Sequence, residues 1–171
     1  MRYTRGVAAR HREKGQVVAR NRAATFHYTI EERFEAGLVL RGSEVKSLRE
    51  GRVNLTEAYA SVERGEAWIK QLVIASYVAA RAFPHAEHGA RKLLLHAREI
   101  RALERASLRE GYTLVPLAIY FDHGWAKVTI GVARGRKDHD KRAVLAARTA
   151  EREALAAMRE HRDASPRRRR R

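Results

Sequence analysis

Alternation of apolar and polar positions predicts two β-hairpins in this chain. The first has arms at residues 55–62 and 67–74, and the second has arms at residues 112–121 and 125–133. Each pair of arms is joined by a short segment that contains a glycine, which supplies the backbone freedom that a tight turn needs. The pattern therefore indicates a domain dominated by antiparallel strands.

Further elements are predicted before and between the hairpins. A run rich in β-forming residues predicts a strand from Phe26 to Leu40, and a short helix follows from a Ser43 cap to Gly51. Between the hairpins, residues 91–95 predict a short strand. A helix follows that strand, capped by His96 and ending near Glu110.

The helix after His96 is predicted to lie on a barrel with one side in water. Ile100 and Leu103 lie near one face, with Ser107 or Leu108, and four arginines lie near another, at positions 98, 101, 105 and 109. Short antiparallel strands, two hairpins and a helix within about 113 residues favour a small barrel, for which the oligonucleotide-binding fold is the common nucleic-acid reader. We therefore predict a mostly β domain with short helices, built as an antiparallel barrel like the oligonucleotide-binding fold.

Strand register assigns two different sides to residues 91–95. Leu93 and Leu95 point one way, while Lys92 and Leu94 point the other. If the first pair faces the core, Leu94 is exposed beside a cation. One exposed leucine is ordinary on a protein surface, so register alone leaves open whether Leu94 contacts a partner.

Positive charge is concentrated at the two ends of the 171-residue chain, whose formal net charge is +16. Residues 1–20 carry +5 and residues 134–171 carry +8, which leaves +3 for residues 21–133. Both ends are poor in large apolar residues, so neither buries enough surface to offset the entropy of ordering. We predict a flexible basic extension at 1–20, a barrel at 21–133 and a basic tail at 134–171 that is disordered when free.

Composition narrows the class of partner and the compartment. A strongly basic chain favours a polyanion, either nucleic acid or an anionic membrane surface. The sequence contains no cysteine, no apolar run of about 18 residues and no apolar stretch within its first 20 residues. We therefore expect a cytoplasmic protein without disulfides, thiolate zinc or a membrane span.

Catalytic and metal-binding patterns are weak in this sequence. His85 and His88 form the densest histidine cluster, but their spacing matches no standard ligand pattern. Glu31 and Glu35 would share a face of a strand and mimic the carboxylate pair of a metal-dependent nuclease. Strand carboxylates beside a basic surface more often form ion pairs or accept hydrogen bonds from ribose and bases. We predict no metal, no cofactor and no catalytic residue.

Several short motifs occur in a fixed order, at Asn21 and at residues 28–40, 42–49, 51–55, 91–95, 113–117 and 135–142. In these motifs the chain resembles the bacterial SsrA-binding protein family, also called small protein B. The likeness extends over roughly residues 21–160. It implies an oligonucleotide-binding-fold barrel that binds the tRNA-like domain of transfer-messenger RNA (tmRNA). It also implies that the protein accompanies this RNA to ribosomes stalled on messages that lack a stop codon.

The resemblance transfers three RNA-contacting residues to this chain. The family's asparagine, glutamate and leucine match Asn21, Glu35 and Leu94. Cations near Leu94 are expected to anchor phosphates. These cations are Arg91, Lys92, Arg98 and Arg101.

The resemblance also assigns a role to the tail, in the decoding region of the ribosome. The family motif Gly-Lys-Lys-x-x-Asp-Lys-Arg matches residues 135–142, with Arg136 replacing the first lysine and keeping the charge. The paired large apolar residues that some members carry further on are represented here only by Ala157 and Met158. The tail residues predicted to act there are Gly135, Arg136, Lys137, His139, Asp140, Lys141, Arg142 and Met158.

Helix-forming residues at 143–163 give the tail helical propensity, but it lacks a core to dock on. We expect this tail to become helical only on the ribosome, and we expect the terminal arginines at 167–171 to be a solvated charge run. The protein is expected to be a monomer in isolation. Two rival functions stay open at this point, an RNA-processing enzyme that uses Glu31, Glu35 and a histidine, and a structural ribosomal protein.

Overall fold

The structure is a computed structural model that describes residues 15–77 and 85–136, together with seven helical positions between 149 and 158. Contacts between residues divide the chain into two compact units, Met1–Gly135 and Arg136–Arg171. In chain order, the elements of the first unit are β1 (Gln16–Arg20), α1 (Arg22–His27), β2 (Tyr28–Leu38), α2 (Gly42–Arg49), β3 (Val53–Asn54), β4 (Tyr59–Glu63), β5 (Glu66–Lys70), β6 (Val73–Ile74), β7 (Arg91–Leu94), α3 (Ala97–Ser107), β8 (Tyr112–Asp122) and β9 (Trp125–Gly135).

Seven of the strands form one sheet, in the order β1-β8-β4-β5-β7-β2-β9. The sheet closes on itself because β9, the last strand in this order, also pairs with β8. Every pairing is antiparallel. The predicted mostly β class and antiparallel barrel are therefore confirmed.

The core fills the inside of the barrel with aliphatic side chains from successive strands. Val128, Ile130 and Val132 alternate along β9 and are buried, as the period-2 pattern predicted. Leu93 is buried and Leu94 is exposed, which confirms the register predicted for that strand. Other large members of the core are Leu38, Leu48, Ile69, Leu103, Leu114 and Ile119.

The second predicted hairpin is confirmed with close to its predicted bounds. β8 and β9 pair from Tyr112 with Arg134 to Asp122 with Trp125, so the turn consists of His123 and Gly124. These two residues have φ of 48° and 85°, the left-handed conformation that two-residue hairpin turns with matching twist require. Glycine adopts this conformation at no steric cost, which explains Gly124.

The first predicted hairpin is present but its strands are shorter than predicted. β4 begins at Tyr59 rather than at residue 55. β5 ends at Lys70, and Gln71, with φ of 54°, separates it from the two-residue strand β6. An alternating pattern does not reveal a single left-handed residue, so sequence alone joined the two segments.

Helix caps differ in part from the prediction. α2 begins after Arg41 rather than after Ser43, and the Glu44 carboxylate accepts the Arg41 N–H at 2.7 Å. His96 caps α3 as predicted, with the Glu99 carboxylate accepting its N–H at 2.9 Å. α3 ends at Ser107 rather than near residue 110, and Leu108 is therefore outside the helix and 81% exposed. No helix in the described part of the chain is long and apolar enough to span a membrane.

Two predictions near the start of the domain are wrong. Residues 16–20 were assigned to a flexible extension, but they form β1 on the open edge of β8, where register pairs Arg20 with Ala118. Phe26 was predicted to start a strand, but it lies in the short helix α1, and β2 starts at Tyr28. In the first case the tertiary pairing with β8 decides the local conformation. In the second, the Asn21 side chain caps α1 by accepting the Ala24 N–H. Residues 1–14 lie outside the described residues.

In the second unit, the described positions are Thr149, Ala150, Arg152, Glu153, Ala154, Ala156 and Met158. All of them are helical, in agreement with the helical propensity of this segment. The predicted disorder of the free tail stays a prediction.

Candidate nucleic-acid interface

Leu94 and Glu35 line one cleft on the outside of the barrel. The cleft has a volume of about 460 Å³, and its remaining lining residues are Leu95, His96 and Glu99. Leu94 is 56% exposed, so its side chain is accessible from solvent at this cleft. The structure therefore brings together two of the three residues that the resemblance assigned to RNA contact.

Gly37 separates Leu94 from Lys127 in the sheet. Gly37 of β2 pairs with Leu94 of β7 on one side and with Lys127 of β9 on the other. Lys127 in turn pairs with Tyr120 of β8, so the four residues form one row across four strands. Because Gly37 has no side chain, the row has a gap in which Leu94 is accessible beside polar groups.

Glu35 and Lys127 are the centre of a polar network next to this gap. Lys127 Nζ lies 2.7 Å from Glu35 Oε1 and 2.7 Å from Asp122 Oδ2. The Tyr120 hydroxyl donates a hydrogen bond to Glu35 Oε2. Because Tyr120 is buried, its hydroxyl is held in place and fixes the position of the Glu35 carboxylate.

These contacts shift the pKa values of three members of the network. The hydrogen bonds that Lys127 donates to Asp122 and Glu35 raise the pKa of Lys127, and the same contact lowers the pKa of Asp122. Burial, followed by the hydrogen bond to Glu35, raises the pKa of the Tyr120 phenol. Lys127 and Tyr120 therefore keep their protons at neutral pH and remain donors to the carboxylates.

Asn21 is placed elsewhere and is engaged inside the protein. Its Oδ1 accepts the Ala24 N–H at 2.9 Å and caps α1, and its Nδ2 donates to the Leu55 carbonyl at 3.0 Å. The side chain is buried and borders a different cavity, which it shares with Tyr28 and Tyr59. Asn21 therefore joins α1 to the segment before β4, and it does not line the cleft of Leu94.

Arg91 is a structural residue, which corrects its predicted role as a phosphate contact. It is 4% exposed and forms an ion pair with buried Glu44, with its Nε 3.0 Å from Oε1. Its other four N–H groups donate to the carbonyls of Leu72, Ala86, Glu87 and Gly89. All five donors of this guanidinium have acceptors in the protein, so none is left for a phosphate.

The remaining predicted phosphate contacts lie on the surface. Lys92 points outward from β7 and forms an ion pair with Glu66. Arg98 and Arg101 are exposed on α3, whose first turn follows the cleft residue His96. Lys92 is therefore two residues from Leu94 on β7, and Arg98 and Arg101 follow the cleft residue His96 along α3.

The two carboxylates of the nuclease hypothesis are held by different tyrosines. Glu31 accepts the Tyr112 hydroxyl at 2.6 Å, whereas Glu35 accepts the Tyr120 hydroxyl. The pairing of β2 with β9 also shifts register around Glu31, so the two carboxylates do not keep a simple alternating register. Within residues 15–77 and 85–136, no group of three potential ligands is arranged to hold a metal ion.

Most of the predicted tail motif falls outside the described residues, including Lys137, His139, Asp140, Lys141 and Arg142. Gly135 ends β9, and Arg136 is the next residue. Met158 is helical and 70% exposed.

The SmpB protein family model matches residues 18–160 of this sequence. The chain belongs to the SmpB family. The SsrA-binding protein of Roseobacter denitrificans is 49% identical over 147 residues, which cover 85% of this chain and 91% of that protein. The SsrA-binding protein of Geobacillus kaustophilus is 48% identical over 147 residues, which cover 86% of this chain and 95% of that protein.

A solved structure resembles the fold of this SmpB family member with a TM-score of 0.61 and 45% sequence identity. It covers 70% of this chain and 85% of the other chain, and it is described as "tmRNA-SmpB: a journey to the center of the bacterial ribosome". The resemblance found in the sequence motifs is therefore confirmed.

Sequence reasoning missed several residues at the candidate interface of this SmpB family member. Gly37, Lys127 and Tyr120 were not predicted, although each pairs with Leu94 or contacts Glu35, and Asp122 was missed as the second partner of Lys127. A lysine within an alternating strand gives no sign of its partners, because β8 and β9 meet β2 only in the closed barrel. One signal was available, since the alternation of β9 places Lys127 on the outer face, next to inward-facing Val128.

Proposed function

We propose that this chain binds tmRNA, the SsrA RNA named in its relatives, and accompanies it to the ribosome as a non-enzymatic adaptor. The name SsrA-binding protein in two relatives supports the RNA partner. The similarity to a tmRNA-SmpB structure of the bacterial ribosome supports the second partner. The ribosome is in the cytoplasm, which is where we expect the protein to act.

One observation carries the assignment of the site, namely that Leu94 is exposed beside the network of Glu35 and Lys127. An apolar side chain next to fixed hydrogen-bonding groups suits unpaired or distorted RNA, whose bases are accessible. A regular A-form duplex offers such a site little, because its base edges are hard to reach. The tRNA-like domain of tmRNA, with its loops, is therefore the proposed target.

The charge of the network indicates which RNA groups it contacts. Glu35 and Asp122 carry two negative charges around the single positive charge of Lys127. A cluster with net negative charge repels phosphate but accepts hydrogen bonds from base amino groups and the ribose 2′-hydroxyl. We assign Glu35 to such a contact, while Leu94 packs against a base or sugar.

In this proposal Asn21 has a structural role and does not contact RNA at the Leu94 cleft. Its amide links α1 to Leu55, so it maintains the part of the barrel next to the cavity of Tyr28 and Tyr59. An RNA that binds both this cavity and the Leu94 cleft would contact two separate parts of the barrel. Lys92, Arg98 and Arg101 would then hold phosphates beside the cleft.

Sequencing the RNA that copurifies with the tagged full chain tests the function. We expect tmRNA to be enriched with the parent chain and with Arg64→Gln, which changes an exposed residue at the β4–β5 turn. We expect Leu94→Asp to lose that enrichment while its circular dichroism melt stays unchanged. Equal enrichment with Leu94→Asp would remove the cleft from the proposal, and an RNA population without tmRNA would refute the function.

A further inference from the structure

Helix α3 presents three arginines on the side opposite the barrel. Leu103 and Ala106 are its buried residues, and Ile100 packs partly against the core. Arg98, Arg101 and Arg105 follow one another at spacings of three and four, which places them in one row at 3.6 residues per turn. All three are exposed, so the row faces solvent along the helix.

The guanidinium groups of this row are available to a partner. Within the described part of the chain, Arg98, Arg101 and Arg105 form no ion pair or hydrogen bond through their side chains. Other basic side chains of the domain are engaged, since Arg91 is enclosed by acceptors and Arg109 stacks on Tyr112 at 4.3 Å. The row therefore differs from these cations in having unused donors.

In the described part of the chain, the glutamates of α3 do not pair with the arginines of this row. Glu99 accepts the N–H of His96, so its carboxylate is held at the N-terminal cap. Glu104 directly precedes Arg105 and follows Arg101 by three residues, so it neighbours the row on the helix surface. Within the described residues, neither carboxylate forms an ion pair with an arginine of the row.

The stability of α3 explains the presence of only some arginines in the row. A cation in the last turn is favoured by the helix dipole, which suits Arg105. A cation in the first turn is disfavoured, and Arg98 occupies that turn. Arg98 therefore costs the helix some stability, and a role in binding explains its position better.

We infer that Arg98, Arg101 and Arg105 form a phosphate-binding row that holds the RNA backbone beside the Leu94 cleft. The inference rests on the proposed function and extends it, because α3 starts at His96, a residue that lines the cleft. The row is about 10 Å long at 1.5 Å per residue. At about 3.4 Å of axis per phosphate on one duplex strand, it faces about three phosphates.

Salt dependence of binding tests the row with the full chain and two probes, the tRNA-like domain of tmRNA and an unrelated RNA hairpin of equal length. We expect R98Q/R101Q/R105Q to weaken binding of both probes. We expect the slope of log affinity against log salt to become shallower by about 2 to 3, at about 0.7 to 0.9 per phosphate contact. The charge-conserving variant R98K/R101K/R105K is expected to have a slope that differs from the parent slope by no more than one phosphate contact, about 0.7 to 0.9.

A control arginine and a second variant separate this inference from the proposed function. Arg64→Gln removes one exposed arginine at the β4–β5 turn and is expected to leave the slope unchanged. Leu94→Asp is expected to weaken binding of the tRNA-like domain without changing the slope. An unchanged slope in the triple glutamine variant would overturn the phosphate-binding role of the three arginines, even if Leu94→Asp weakens binding as proposed. If the triple glutamine variant has a shallower slope but Leu94→Asp binds the tRNA-like domain normally, the phosphate-binding role of the row stands and the role of the Leu94 cleft is refuted.

Discussion

Gly37 lies directly opposite Leu94 in the pairing of β2 with β7, and a Cβ atom placed on Gly37 would approach the Leu94 Cβ to 3.2 Å. That distance is shorter than ordinary van der Waals contact, so an added methyl group would displace Leu94 by a few tenths of an ångström. The glycine therefore keeps Leu94 in place although it carries no functional group.

Gly37→Ala is expected to weaken binding of the tRNA-like domain with little effect on stability. The gain in stability from restricting the unfolded chain, about 0.4 to 1 kcal/mol, offsets part of the cost of crowding Leu94. Gel-shift titration measures the affinity and a urea melt measures the stability. Gly42→Ala is the control, because an added Cβ there meets nothing within 4 Å. Unchanged affinity for Gly37→Ala would show that the position of Leu94 does not matter.

Arg91→Met is expected to destabilise the barrel by about 3–5 kcal/mol, because it leaves the buried Glu44 carboxylate without its partner. Adding Glu44→Gln removes that charge and is expected to recover part of the loss. Chemical denaturation of the parent, single and double variants measures both effects. Binding measured where Arg91→Met remains folded should keep the salt slope of the parent. A stable Arg91→Met variant with a shallower slope would restore the phosphate role that the structure argues against.

The network of Lys127 and Asp122 predicts a pH dependence of stability. The hydrogen bond from Lys127 holds the pKa of Asp122 below 3.8, the value expected without these contacts. A carboxyl group with a lowered folded pKa stabilises the folded state above its unfolded pKa, and that contribution is lost as the pH falls through the folded pKa. The stability difference between the parent and Asp122→Asn is therefore expected to be constant above about pH 5 and to shrink below about pH 4.

Urea melts between acid and neutral pH measure this difference. They are best made in a His123→Gln background, because the His123 Nδ1 lies 2.8 Å from Asp122 Oδ1 and is a second contact of that carboxylate. Glu110→Gln, which removes an exposed carboxylate away from the network, is the matched control. A parent-minus-Asp122→Asn difference that stays constant in acid would contradict the proposed stabilisation of the ionised carboxylate.

A chain that ends at Gly135 is expected to keep binding tmRNA but to lose rescue of stalled ribosomes. Glu35, Leu94 and the row on α3 all lie before that residue, so truncation removes mainly nonspecific electrostatic attraction, which moderate salt suppresses. Filter binding at moderate salt measures the first property, and peptide tagging on a message without a stop codon measures the second. Tagging by the truncated chain, or loss of its RNA binding, would contradict this division between barrel and tail.

The sequence by itself determined the class of fold, the outward register of Leu94 and the family. Alternation along β9 reports which large side chains face the core, because the strand period is a local property of the backbone. A motif is likewise a local property, which is why Glu35 and Leu94 were found without knowledge of their contact. The β8–β9 hairpin was predictable for the same reason, since its turn residues are adjacent in the chain.

Tertiary structure alone decided which polar groups are used inside the protein and which remain available. Arg91 and Arg98 are only seven positions apart and look alike in sequence, yet Arg91 is enclosed by acceptors and Arg98 is in solvent. Lys127 meets Glu35 only because β2 and β9 become neighbours, and residues 16–20 become a strand only because β8 offers an unpaired edge. Closing the barrel brings together residues as far apart in the sequence as Tyr28 and Gly135, and local patterns carry no information about such contacts.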